Sequence, residues 1–444
     1  MSKPVNIQLE EKDMGAFQWV VISLCFLINM LDGFDVLVMA FTAASVSSEW
    51  GLSGIELGYL LSAGLIGMAL GSLFIAPWAD RFGRRPLILL CISIAGMGML
   101  TSSQASSVTA LGALRLLTGL GIGGVLASSY VIAGEYANKK WRSLAISLQS
   151  TAYALGATIG GVIAAQIIPH MGWRSVFLYG GVVTLMALPI MYFLLPESIA
   201  YLVARQPHNA LNRLNRLLSR VGIDQFTAMP KGELGTQASL RQTFVGLFSK
   251  DLLRSTLLVW VGFFLVMFGF YFVMSWTPKL LVTAGLSNQQ GITGGVLLNV
   301  GGIVGTSLIG LLAARYRLPR VLMSYLCLNA VFLAIFVHFT SNLNLAFALV
   351  LVIGILVNGC VAGLYALTPS MYAPDQRVTA LGWAIGIGRM GAILSPLVAG
   401  RLIDASWQPA NLYLLFATAF VVAAIAIWLM KNNSLLQVVL KPAS

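Results

Sequence analysis

The 444-residue sequence predicts an all-α protein that crosses a membrane many times and is built as two related halves. Three observations predict this. The chain is 58% hydrophobic and only 9% charged, against roughly 25% charged residues in a soluble domain. Its apolar residues gather into twelve runs, each as long as the roughly 20 residues that a bilayer-spanning helix needs. Short segments of the first half recur at corresponding places in the second.

The runs fall at about 17–45, 55–77, 86–106, 108–134, 143–168, 175–195, 255–284, 289–313, 320–339, 343–370, 378–402 and 409–430. The first holds two acids, Asp32 and Asp35, and no other ionisable side chain. It is too long for the apolar core of a cleaved signal, so it reads as a retained span. Between the runs the basic residues sort by side. Arg81, Arg84 and Arg85 share the turn after the second run, Lys139, Lys140 and Arg142 that after the fourth, and Arg315, Arg317 and Arg320 that after the eighth. Arg174, Lys279 and Arg401 fall on the opposite side, and Arg115 and Arg389 lie inside runs. Cytoplasmic loops carry such an excess of Lys and Arg, which places both termini in the cytoplasm. The net charge of +12 is thus a matter of topology and of anionic lipid. No basic patch interleaved with aromatic residues points to nucleic acid.

The longest polar interruption separates a six-helix bundle at 1–195 from a second at 255–444, leaving 196–254 as a cytoplasmic linker. In the linker, Arg205, Arg213, Arg216 and Arg220 surround Leu211, Leu214, Leu217 and Leu218. That pattern predicts an amphipathic helix on the inner membrane surface, its apolar face against lipid or protein.

The halves repeat each other. Ile75-Ala76-Pro77-Trp78-Ala79-Asp80-Arg81-Phe82 reappears as Ile309-Gly310-Leu311-Leu312-Ala313-Ala314-Arg315-Tyr316, each ending the second span of its half. Glu135-Tyr136-Ala137-Asn138 with Arg142 likewise matches Met371-Tyr372-Ala373-Pro374 with Arg377. Duplicated six-span halves are a transporter architecture.

Several chemistries are excluded. Gly119-Leu-Gly121-Ile-Gly123-Gly124 and Gly386-Ile-Gly388-Arg389-Met-Gly391 fit a dinucleotide pattern but lie inside spans, where small residues let helices approach. No Walker sequence suggests an ATP-driven pump. The cysteines Cys25, Cys91, Cys327 and Cys360 are isolated in apolar runs, and His170, His208 and His338 are scattered. No metal site, cofactor or catalytic constellation is indicated, so the chain does not read as an enzyme.

Ala76 to Arg85, in the form small-x-x-x-Asp-Arg-x-Gly-Arg-Arg, resembles the inner-loop signature of the major facilitator superfamily, and the resemblance extends over all twelve spans. Leu31-Asp32-Gly33-Phe34-Asp35 resembles more narrowly the aromatic acid/proton symporter family, which imports benzoate-like acids into bacteria. Arg115 with Thr118-Gly119, Glu135-Tyr136, Pro196-Glu197-Ser198 and Gly388-Arg389 agree with that family. Ala76 replaces the usual first glycine of the loop signature, so the closest helix approach there is expected to differ.

The charges take roles by depth. Arg389 lies about twelve residues from the inner surface marked by Arg377, roughly 18 Å at the rise of an α-helix. A guanidinium at that depth offers a planar fork to a carboxylate. Arg389 is therefore assigned to substrate, the alternative being an ion pair with an aspartate. Asp35, Asn358, Tyr365, Trp276 and Trp383 are further expected substrate contacts. Asp32 and Asp35 share a helix face and suit proton coupling, because two nearby buried carboxyls resist ionising together. Arg115 is their expected counter-charge, in a static or a switching pair.

The resemblance implies a cytoplasmic gate at Asp80, Arg81, Gly83 and Arg84, with Glu135, Arg142 and Arg377. Ala314 and Met371 stand where the second half would carry the matching acids.

The expected function is proton-coupled import of a benzoate- or hydroxybenzoate-like carboxylate by alternating access in the bacterial inner membrane. The partners are the acid anion, the proton and the lipid bilayer, with no cofactor and a monomer as the working unit. The alternatives are a symporter for a dicarboxylate or sugar acid and a drug exporter. The exporter reading is weakened because Gly156-Ala157-Thr158-Ile159-Gly160-Gly161 lacks the proline expected of such antiporters.

Overall fold

In a bilayer each backbone polar group must be satisfied within the protein, so apolar runs of this length become helices. A computed structural model describes residues 12–229, 245–249, 252–336, 338–339, 342–372 and 376–430. Among them the helices are α1 (Ala16–Trp50), α2 (Gly54–Phe82), α3 (Arg84–Ser102), α4 (Val108–Tyr136), α5 (Arg142–Met171), α6 (Trp173–Leu194), α7 (Ile199–Arg205) and α8 (Ala210–Val221). They continue with α9 (Leu253–Thr283), α10 (Asn288–Arg315), α11 (Leu318–Phe336), α12 (Leu343–Ser370), α13 (Arg377–Asp404) and α14 (Pro409–Met430). Twelve, all but α7 and α8, are long and apolar enough to cross a membrane. Each expected run is one of them. Ala373 and Pro374, part of the second repeat, lie outside the described residues.

Polar residues in the loops fix the starts. Ser107, Ser198, Ser287 and Asn342 accept the backbone N–H three residues on, capping α4, α7, α10 and α12, which satisfies donors a helix leaves open at its first turn. Near the other end of α2, Gly71–Ile75 winds as a π-turn and Ala76–Trp78 as a 3-10 turn. Pro77 supplies no N–H, and the change of winding accommodates it. Here the helix meets α4 most closely at Gly67 and Gly71, where an added Cβ would lie 2.1 and 2.2 Å from the Leu116 and Leu120 carbonyl oxygens. The approach precedes Ala76, so alanine is tolerated at that signature position.

The described residues pack as two compact units that interleave along the chain. The first takes Met1–Val36, Ile66–Ala157 and Arg174–Thr236. The second takes Leu37–Leu65, Thr158–Trp173 and Gln237–Ser444. The grouping divides α1, α2 and α5 at mid-helix, joining the ends around the α1–α2 turn to the C-terminal six spans.

The core of the first unit runs from Val21, Cys25 and Ile28 of α1 through Ile88, Cys91 and Ile92 of α3 to Ile132 and Tyr136 of α4. It continues without a break into Leu202 of α7 and Leu214, Leu217, Leu218 and Val221 of α8. The amphipathic linker helix thus lays its apolar face on protein. Arg220 covers the Phe17 ring at 5.4 Å, and Lys12 donates to the Gly222 carbonyl at the end of α8.

Candidate functional site

The residues of the motif Asp32-Gly33-Phe34-Asp35 face different neighbours in the first unit, because successive helix positions point about 100° apart. Gly33 presses on α5: an added Cβ would sit 1.9 Å from the Tyr153 carbonyl oxygen, and one at Gly156 would sit 1.9 Å from that of Met30. The two helices touch backbone to backbone, and only glycine fits. Phe34 lies against Gly180 of α6, its ring edge 2.4 Å from an ideal Cβ there. With those contacts set, Asp32 and Asp35 turn inward to a cavity of about 30 Å³ shared with Ile92, Ala95, Met99, Gly121, Ile122, Val125 and Thr184.

Asp35 and Arg115 are 8% and 2% exposed and form a buried ion pair, Nη1 to Oδ1 at 3.0 Å. The Arg115 Nη2 donates to Thr118 Oγ1 at 2.8 Å, and the guanidinium lies 5.0 Å from the centre of the Phe177 ring. The pair is one-pronged, and Arg115 Nε has no hydrogen-bond acceptor among the described residues. One turn before Asp32, Asn29 Nδ2 donates to Ser129 Oγ and to Gln149 Oε1, all three side chains being wholly buried. This polar bridge joins α1, α4 and α5 and was not anticipated. Its only sequence signal is an amide in each of two apolar runs.

In the second unit, Arg389 lies half-buried in the middle of α13. It makes no ion pair or hydrogen bond among the described residues. Arg115, not Arg389, is the observed partner of Asp35. Gly382 and Gly386 share a helix face with Arg389, and an added Cβ at either meets nothing within 4 Å. That face is open. Of the residues expected beside it, Trp383 stacks on Trp260 at 6.2 Å and Tyr365 meets Phe263 edge-on at 5.5 Å. Both keep exposed surface. Asn358 donates to the Gly354 carbonyl of its own helix. Trp276 is 1% exposed.

The loop between α2 and α3 is held by a network richer than the signature alone suggests. Gly83 has φ 104°, and a Cβ there would also strike the Glu197 carboxylate at 2.5 Å. Glu197 accepts the backbone N–H groups of Arg84 and Arg85 at 2.8 and 3.1 Å, capping α3 from a hundred residues away. Arg84 Nη1 binds Glu135 and Ser198 Oγ, and Ser198 Oγ donates to Glu135 Oε2 at 2.7 Å. Asp80 is exposed and stands 3.6 Å from Arg84, while its backbone carbonyl accepts from Arg205 Nε at 3.0 Å. Arg81 contributes its backbone carbonyl, 3.5 Å from the Tyr201 hydroxyl. Arg142 and Arg377 hold equivalent places in the repeats, each donating Nε to a carbonyl at the end of the preceding span, Gly134 and Tyr372. Glu197 and Ser198 were not expected in this network, although Pro196-Glu197-Ser198 was their visible trace.

The Major Facilitator Superfamily model matches residues 22–328 and 299–442. The chain is 34% identical over 438 residues to a gallate transporter of Pseudomonas putida, covering 96% of each. It is 31% identical over 406 residues to the 4-hydroxybenzoate transporter PcaK of Pseudomonas aeruginosa, covering 91% of this chain and 90% of that one. Among solved structures, the xylose transporter XylE from E. coli in a partially occluded inward open conformation matches with a TM-score of 0.72 at 18% identity, covering 95% of this chain and 99% of that one. It shares the fold. The chain is therefore a multi-pass membrane transporter and not an enzyme, and it belongs to the major facilitator superfamily, in the group that holds its aromatic acid transporters.

Proposed function

We propose that this transporter imports a hydroxylated benzoate together with a proton by alternating access. The observation that carries the carboxylate part is Arg389, a guanidinium at mid-span with an open helix face beside it and no protein anion among the described residues. Such a charge is costly in a bilayer unless something meets it. A carboxylate meets it in two parallel hydrogen bonds. The relatives named for gallate and 4-hydroxybenzoate favour a benzene ring bearing a carboxylate and a hydroxyl opposite it.

Proton coupling is assigned to Asp35 with Asp32, and Arg115 is the counter-charge whose partner a proton on Asp35 removes. Arg84, Glu135, Glu197 and Asp80 form the gate at the α2–α3 loop. No cofactor is needed, since the proton gradient drives uptake. The protein works as a monomer in the bacterial inner membrane with both termini in the cytoplasm.

The test is counterflow in proteoliposomes with labelled 4-hydroxybenzoate, challenged by aromatic, dicarboxylic and sugar acids. Competition confined to aromatic acids is expected, and failure of every aromatic acid to compete overturns the reading. Arg389→Lys should then weaken binding by about ten-fold or more while keeping the charge, as loss of a bidentate contact does.

A further inference from the structure

We propose that Asp404, at the last turn of α13, is a gate latch at the start of α2, the end of that helix opposite the Asp80 loop. The structure pairs it with a helix start 350 residues away. Its two carboxylate oxygens accept the backbone N–H groups of Gly54 and Ile55, at 2.6 and 2.8 Å. These are the first two donors of α2. The next donor, Glu56 N–H, goes to Ser53 Oγ at 3.3 Å, and Ser53 N–H goes back to the Glu56 carboxylate at 2.9 Å. The local capping box therefore serves its own two donors and leaves the first two of the helix to Asp404. A carboxylate is well placed there, facing the positive end of the α2 dipole.

Beneath this cap the two helices meet backbone to backbone at three glycines. A Cβ added to Gly54 would lie 2.3 Å from the Gly400 carbonyl oxygen, one at Gly400 2.1 Å from that of Gly54, and one at Gly58 2.5 Å from that of Pro396. One turn deeper, Ser62 Oγ donates to the Ile393 carbonyl at 2.8 Å, in the turn that Pro396 interrupts. Gly54, Gly58 and Ser62 are spaced by four, so one smooth stripe of α2 lies along one stripe of α13.

The chemistry of this seam suits parting. At the three glycine contacts no side chain has to be withdrawn from a socket, and Asp404 sits at an exposed rim, where water can take over both N–H groups. The buried Asn29–Ser129–Gln149 bridge has no such replacement and suits permanence. Asp404 therefore holds this end closed without fixing it closed. This rests on the alternating-access reading, in which that end must open to admit substrate.

The test labels Ser62→Cys with N-ethylmaleimide in detergent-solubilised protein carrying Cys327→Ser, so that the remaining cysteines, Cys25, Cys91 and Cys360, are buried. Ser62 itself is wholly buried. Asp404→Ala should raise labelling at position 62 about five-fold, the loss of an ordinary N-cap expressed as an equilibrium constant. Labelling of Cys25, Cys91 and Cys360 should not change. Asp404→Asn, which keeps one capping oxygen and loses the other with the charge, should raise labelling less than Asp404→Ala, and Gly58→Ala should open the seam as a wedge. An unchanged rate in Asp404→Ala overturns the latch. So does a rise at all four cysteines together, which marks a contact that merely holds the fold. Counterflow by the unmodified protein tests the transport reading separately, since it depends on none of these variants.

Discussion

The Asp35–Arg115 pair allows stability and coupling to be measured apart. Removing one charge, as in Asp35→Asn, leaves Arg115 charged at 2% exposure. Breaking a buried pair in that way costs about 3–5 kcal/mol. The structure points to the lower end, because Thr118 Oγ1 at 2.8 Å and the Phe177 ring at 5.0 Å still face the guanidinium. A cation–π contact shielded from water is itself worth about 2 kcal/mol. The double variant Asp35→Asn with Arg115→Gln removes both charges and keeps two hydrogen-bonding amides of similar size. It should recover stability to within about 1 kcal/mol of the parent, a coupling that a double-mutant cycle reads directly. Stability is followed by denaturant titration in detergent, and function by uptake driven with a pH gradient beside counterflow, which needs no net proton movement. The expected result is a stable double variant that exchanges labelled acid but does not accumulate it. Uphill accumulation by that variant would refute the assignment, leaving the pair as a structural brace.

Gly33→Ala should abolish folded protein or transport, because its Cβ would meet the Tyr153 carbonyl at 1.9 Å; normal yield and uptake would contradict the α1–α5 approach. At the α2–α3 loop, Asp80→Asn should slow net transport while sparing substrate binding, whereas Glu197→Ala, which uncaps α3, should also cost about 1–2 kcal/mol of stability. Comparing their melting in detergent with their uptake rates checks the distinction. Leu214→Ala, wholly buried in α8, should destabilise the first unit by about 2–5 kcal/mol; a loss near zero would mean that α8 does not dock on the bundle. The methyl ester of 4-hydroxybenzoate should compete at least ten-fold more weakly than the acid in counterflow, and equal competition would remove the carboxylate from the recognition of Arg389.

How much of this was legible follows from what a membrane does to sequence patterns. The spans stand out because a bilayer demands apolar length, and Asp32, Asp35, Arg115 and Arg389 stand out because it penalises charge. Which way each helix turns its charges is less visible. Lipid-facing and protein-facing sides are both apolar, so hydropathy does not fix rotation about the helix axis as it does in a soluble protein. That is why Arg115 and Arg389 were both open as partners of Asp35, and why Trp276 was expected at a cavity wall yet lies fully enclosed. Rotation is set instead by glycines such as Gly33 and Gly156, whose contacts are visible only once two helices are placed together. The capping of α3 by Glu197 and of α2 by Asp404 was hidden for a different reason. In each case a local helix start takes its cap from far along the chain, and cap signals are read from neighbouring residues.

The two arginines inside spans have opposite surroundings, and that difference supports the proposed transport cycle. A charge at the bilayer centre costs about 2.5–3.5 kcal/mol on insertion scales. Arg115 offsets that cost within the protein through Asp35, Thr118 and Phe177. Arg389 has no such offset among the described residues, and its helix face is open. A guanidinium does not lose its proton in a protein, so Arg389 cannot lower its cost by neutralising itself. A carboxyl can. In the proposed cycle the coupling has a natural division: a proton arriving at Asp35 dissolves an existing pair, and an anion arriving at Arg389 creates one. Bringing in the acid anion with its proton makes and breaks one charge pair each, so the number of unpaired buried charges need not rise during the cycle. A proton alone would leave both arginines without a partner, whereas with the anion bound only Arg115 lacks one, so the proton's entry costs less when the anion accompanies it.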